Sequence, residues 1–192
     1  MKKFDKTRYK YQEFFCEENI WWLGKSLHEE GLALEKQYVL IFSNAKKITP
    51  MFYQGESLVV WDYHVVLFYE DEAVIFDFNS SLSFPCRIKR YFTRTFPQEL
   101  PADYRIYVRK IAMTEYHENF YSDRSHMLNK SGTPSKTFPE WPAILHSGKK
   151  RVCLGEYTDF SCNSKDIIAA DLFLAQCGLA SISTKKRRQK SS

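Results

Sequence analysis

Glycine is scarce in this chain, at seven of 192 residues, and no glycine-rich phosphate loop can be assembled from them, so no nucleotide is expected. The five cysteines, Cys16, Cys86, Cys153, Cys162 and Cys177, are odd in number and never spaced as CxxC, which argues against a disulfide framework or a zinc ribbon and for reduced thiols. His28, His64, His117, His126 and His146 lack HxxxH or HExxH spacing, so neither a metal nor another cofactor is expected. No apolar run approaches the ~20 residues of a membrane span, and the basic start is followed by no hydrophobic signal segment. A soluble protein without membrane contact is expected, cytoplasmic and with nuclear import as an alternative.

A charge surplus is also missing from most of the chain. Of 28 Lys and Arg, five lie in the last ten residues, Lys185, Lys186, Arg187, Arg188 and Lys190, where there is no acid. Residues 1–182 are left with 23 bases against the 23 acids of the whole chain, so they are formally neutral. A neutral body lacks the basic face that phosphate neutralisation requires, and no nucleic-acid partner is expected. Residues 1–182 are read as a single catalytic domain and 183–192 as a disordered basic tail. A domain of that length buries roughly 70% of its unfolded surface. Its 15 Phe, 12 Tyr and 4 Trp are the natural filling.

Apolar residues at three- and four-residue steps predict a helix from Cys16 to about Gly31, with Gly24 as a weak point. Tyr38 to Phe42 reads as a strand. Leu58 to Tyr69 and Ala73 to Phe78 read as the two central strands of a hairpin interrupted by Glu70, Asp71 and Glu72. Tyr104 to Met113 reads as a further strand, residues 129–142 as surface loop, and Asp166 to Cys177 as a helix capped by Gly178. A helix, several strands and a late helix make an α+β fold with an antiparallel sheet.

If Glu70 and Ala73 close the hairpin, Val66 lies opposite Asp77, and His64 and Asp77 share a face as diagonal neighbours. Both interrupt strongly apolar strands, and a buried carboxylate is costly without a partner, so a hydrogen bond between them is expected. An aspartate-oriented histidine forms two thirds of a nucleophilic triad. Cys16, at a helix start where unpaired N–H groups favour a thiolate, is the candidate third member. It has a second reading as a small buried residue, and His64 with Asp77 as a satisfied core pair. The other four cysteines are read as structural. Glu17 and Glu18 suit a helix start but oppose a thiolate, which points to another role for them.

The blocks Cys16-Glu17-Glu18-Asn19-Ile20-Trp21, Trp61-Asp62-Tyr63-His64-Val65-Val66-Leu67, Phe84-Pro85-Cys86 and Ser122-Asp123-Arg124-Ser125-His126-Met127 resemble, in order and spacing, those of the protein N-terminal glutamine amidohydrolases, the WDYHV-motif family. The resemblance implies a papain- and transglutaminase-like scaffold and a catalytic triad of Cys16, His64 and Asp77. It implies hydrolysis of the side-chain amide of an N-terminal glutamine to glutamate and ammonia, feeding the N-degron route, by a monomer without cofactor. Asn79 departs from the family, which often has a second aspartate there. Selectivity for a terminal residue calls for a carboxylate that reads the α-ammonium, with Glu17, Glu18, Asp62 and Asp123 as candidates. Arg124 and His126 are read as loop braces. The alternatives are a thiol hydrolase acting on N-terminal Asn or internal Gln, and a non-catalytic module that binds chain termini.

Overall fold

The computed structural model describes residues 3–178, apart from residues 56, 98, 146, 149, 162 and 163 and the side chain of His126. The expectations for the basic tail, Cys162 and the His126 brace fall outside the described residues. In chain order the main elements are α1 (Cys16–Glu29), β1 (Gln37–Ser43), β2 (Thr49–Gln54), β3 (Ser57–Trp61), β4 (His64–Tyr69), β5 (Val74–Phe76) and β6 (Cys86–Arg87). There follow α2 (Ile88–Thr95), β7 (Tyr107–Ala112), α3 (Met113–Asn119), α4 (Leu154–Tyr157), β8 (Ile167–Ala169) and a helix over residues 170–178, α5.

Six strands form an antiparallel sheet in the order β6-β5-β4-β1-β7-β8, and β2 pairs with β3 as a separate ribbon. The fold is therefore α+β with helices packed on an antiparallel sheet, as expected. Strand β4 is buried along its whole length, which explains its unbroken apolar run. Its alternate side chains feed two cores. Val65, Leu67 and Tyr69 join Ile20, Leu23 and Leu27 of α1 on one face, and Val66 and Phe68 join Tyr91 and Phe92 of α2 on the other.

The β4–β5 hairpin has the register read from the sequence. Leu67 faces Phe76, Phe68 faces Ile75 and Tyr69 faces Val74, and the Ala73 N–H donates to the Glu70 carbonyl at 3.0 Å. Helix α1 ends where expected: Gly31 takes φ 96°, its N–H donates to the His28 carbonyl, and the Leu32 N–H reaches the Leu27 carbonyl at 2.9 Å. This is the Schellman arrangement, and it requires the left-handed conformation glycine adopts freely. Gly24 has a packing reason, since a Cβ there would meet Met113 Sδ of α3 at 2.6 Å.

Two elements differ from the sequence reading. The run Leu58–Tyr69 is not one strand: it breaks at Asp62 and Tyr63, and β3 turns away to pair with β2. The Asp62 carboxylate accepts the Tyr63 N–H at 2.9 Å and its carbonyl accepts Ser43 Oγ at 2.6 Å, which stabilises the break. Ile167 and Ile168 belong to β8, paired to β7, so the last helix begins later than their spacing indicates. Their partners on β7 override a helical period.

Candidate active site

His64 opens β4, and Asp77 directly follows β5. His64 Nε2 and Asp77 Oδ1 are 2.9 Å apart, with both residues almost wholly buried. Asp77 Oδ1 also accepts the Asn79 N–H at 2.9 Å, while Oδ2 accepts Gln54 Nε2 at 3.0 Å and the Tyr91 hydroxyl at 2.7 Å. Burial pushes this carboxyl up, but the charge and hydrogen bond of His64 and the donors Gln54 and Tyr91 outweigh it and hold Asp77 below its usual range. Trp61 stacks on the imidazole with ring centroids 5.6 Å apart and planes at 15°. With Nε2 committed to Asp77 and one ring face to Trp61, Nδ1 is the nitrogen left for proton transfer.

Cys16 is the first residue of α1 and is partly exposed. The chain enters through Phe14, in a left-handed conformation at φ 69°, and Phe15, which provides no side-chain cap. Asn19 clamps this entry, accepting the Gln12 N–H at 2.9 Å and donating to the Gln12 carbonyl at 2.8 Å. Phe15 thus caps none of the first N–H groups of the helix; the Glu17 N–H meets that residue's own carboxylate, and the N–H groups beside it suit an oxyanion. Burial raises the Cys16 thiol well above its usual value, the charge of Glu17 raises it further, and the Val65 N–H on β4 works the other way. The thiol thus meets the backbone directly after His64.

The four carboxylates read as α-ammonium candidates divide into two kinds. Asp62 and Asp123 lie in exposed turns: Asp62 bonds the Tyr63 N–H, and Asp123 bonds the Ser125 N–H at 3.0 Å and hydroxyl at 2.5 Å. Glu17 and Glu18 are buried. Glu18 is held by Arg124 through Nε at 2.9 Å and Nη2 at 2.6 Å, and by Trp141 Nε1 at 2.7 Å. Arg124 accordingly ties the loop after α3 to α1. Glu17 Oε2 lies 3.6 Å from the Cys16 sulfur, and burial lifts its carboxyl to about 7.

Sequence reading missed Gln54, Tyr91 and Trp141. Gln54 and Tyr91 reach Asp77 from outside the β4–β5 hairpin, one from the β2–β3 ribbon and one from α2, and no local pattern encodes such meetings. Trp61 had a signal, standing three residues before His64 inside the WDYHV block. Among the described residues no three His, Cys, Asp or Glu side chains gather as a metal site. A cavity of about 350 Å³ between α2 and α5, lined by Phe92, Phe96, Leu100 and Leu174 among others, is bordered by none of Cys16, His64 and Asp77.

Comparison with known proteins agrees with these blocks. The family model described as N-terminal glutamine amidase matches residues 11–179. The chain is 33% identical over 157 residues to a protein N-terminal glutamine amidohydrolase of Bos taurus, covering 77% of this chain and 75% of that one. It is equally similar to the Homo sapiens protein of that name, over 77% and 76% of the two chains. To the Arabidopsis thaliana protein it is 30% identical over 172 residues, 82% of this chain and 78% of the relative. A match over nearly the whole described span, with Cys16, His64 and Asp77 inside it, places the chain in the N-terminal glutamine amidase family.

Proposed function

We propose that this protein hydrolyses the side-chain amide of N-terminal glutamine in proteins and peptides, with Cys16 as nucleophile, His64 as general acid and base, and Asp77 as the group that orients His64. The observation that carries the reading is the buried His64–Asp77 pair with Cys16 at the uncapped start of α1, in a chain whose relatives carry the name of that activity. A helix opening on cysteine, packed against a strand opening on histidine with aspartate beyond the next strand, also supports a papain- and transglutaminase-like scaffold. Residues 1–182 are read as one catalytic domain, monomeric and cytoplasmic, with 183–192 as an appendage to it.

His64 Nδ1 takes the Cys16 proton as the sulfur attacks the amide carbon. N–H groups at the start of α1, where Phe15 supplies no cap, stabilise the oxyanion. The carbon–nitrogen bond breaks as His64 returns the proton to the leaving nitrogen, releasing ammonia and leaving a thioester on Cys16. Water, deprotonated by His64, adds to the thioester, and collapse expels the thiolate, which recovers its proton and leaves N-terminal glutamate. Asp77 fixes the tautomer with hydrogen on Nε2 and stabilises the imidazolium formed at each step.

Incubating a Gln-initiated peptide with the protein is expected to release one ammonia per peptide, with the mass change of an amide becoming an acid. Cys16→Ala is expected to abolish both. Equal or faster turnover of Asn-initiated or internal-Gln peptides would move the substrate assignment, and no turnover of any of them would leave a module that only binds termini.

A further inference from the structure

Glu17 and Glu18 are consecutive residues of α1, both buried, and among the described residues Glu18 alone of the two has a cation. Arg124 donates to both of its oxygens and Trp141 adds a third hydrogen bond. Glu17, 6% exposed, accepts from its own N–H and from the Tyr63 hydroxyl. Among the described residues no Lys, Arg or His forms an ion pair with it. The groups that act most on Glu17 and Cys16 are Glu18 on α1, Tyr63 before β4, the Val65 N–H on β4, Tyr116 on α3 and Asp77 after β5, and none of these is a cation; His64, read as the base for Cys16, has its Nε2 on Asp77.

A buried carboxylate without a cation is costly. Here it also lies 3.6 Å from the sulfur that must become a thiolate, whose ionisation its charge opposes. The position works against the unliganded enzyme twice over, and both penalties vanish if a cation arrives with the substrate. An N-terminal glutamine carries one, its α-ammonium, separated from the reacting amide carbon only by the short side chain. An ammonium against Glu17 therefore leaves that carbon beside Cys16.

We propose that Glu17 is the specificity residue that reads the substrate's free α-ammonium, and that its neutralisation by this ammonium releases Cys16 to ionise beside His64. The proposal rests on the glutamine amidase reading above. It locates selectivity in the chemical step as well as in binding. An acetylated or internal glutamine brings no cation, so the charge of Glu17 continues to face the sulfur.

Glu17→Gln and Glu17→Asp in the full chain test this, with two readouts: steady-state turnover of one Gln-initiated peptide with a free or acetylated N-terminus, and the rate at which iodoacetamide alkylates Cys16 without peptide, followed by mass. For Glu17→Gln, kcat/KM on the free-amine peptide is expected to fall about 10- to 100-fold, chiefly through KM, as loss of a charge-assisted contact does, because the restraint on Cys16 is removed along with the contact. The free-to-acetylated ratio is expected to collapse toward one, and Cys16 alkylation to become several-fold faster than in wild type. Glu17→Asp keeps the charge and should keep most of the ratio. A Glu17→Gln enzyme that retains the ratio, or that alkylates no faster than wild type, overturns the proposal. So does an equal loss on both peptides with slower alkylation, which would make Glu17 a structural group. If the wild-type chain releases no ammonia from the Gln-initiated peptide, the functional reading fails instead, and the alkylation rates still decide whether Glu17 restrains Cys16.

Discussion

The base of the site, between β4, β5 and α2, and its rim, at the start of α1, each bury a carboxylate and treat it in opposite ways. At the base, four donors converge on Asp77 and hold it ionised despite burial. At the rim, Glu17 has hydrogen bonds but no cation among the described residues, and burial lifts it to about 7. A saturated buried charge serves to hold a neighbour in place, and an uncompensated one stores free energy that a ligand of opposite sign can release.

The contrast is broken most severely at the base. Asp77→Asn preserves shape but offers His64 a donor on one side, and kcat on a Gln-initiated peptide is expected to fall about 10⁴-fold, as loss of the aspartate does in serine triads. A fall below tenfold would show that the four donors do not serve the imidazole. The rim's own saturated pair provides the next test. Arg124→Met strips Glu18 of its cation and should lower stability by about 3–5 kcal/mol, read by thermal or urea unfolding.

Glu17→Gln should do the reverse. A carboxyl raised in the folded state from about 4.5 to about 7 binds more protons folded than unfolded, so it subtracts stability as pH rises across that window. Removing it should stabilise the protein by up to about 3 kcal/mol at pH 8 and by little at pH 4. Equal melting of variant and wild type at both pH values would show that the rim is not strained. Tyr91→Phe removes one donor of four from Asp77 and is expected to cost about 1–2 kcal/mol in kcat/KM. Deleting residues 184–192 should change neither turnover nor stability.

The part of this contrast that depends on local sequence could be read from it. The Glu70–Ala73 turn fixed the hairpin register, and register alone put His64 and Asp77 on one face. Gly31 marked the end of α1, and the continuous apolar run of β4 marked a strand covered on both faces. What lay beyond reading depends on distant partners. Gln54 and Tyr91 meet Asp77 across 23 and 14 residues, and Trp141 meets Glu18 across 123. The same holds for the break at Asp62 and Tyr63, where β-branched and aromatic residues continue but the ladder passes from one sheet to another, and for Ile167 and Ile168, whose period is helical and whose neighbours are strands. The sequence also placed Glu17 and Glu18 together as equals; only the arrival of Arg124 from the loop after α3 separates them.

The stacking of Trp61 on His64 has an optical consequence. An imidazolium against an indole quenches its emission more strongly than a neutral imidazole does, so the fluorescence of Trp61 should fall when His64 gains a proton and recover when His64 gives it up. Trp61 is thus an intrinsic probe of the general base, readable in a stopped-flow trace during a single turnover, with Trp61→Phe as the control that leaves the emission of the other three tryptophans.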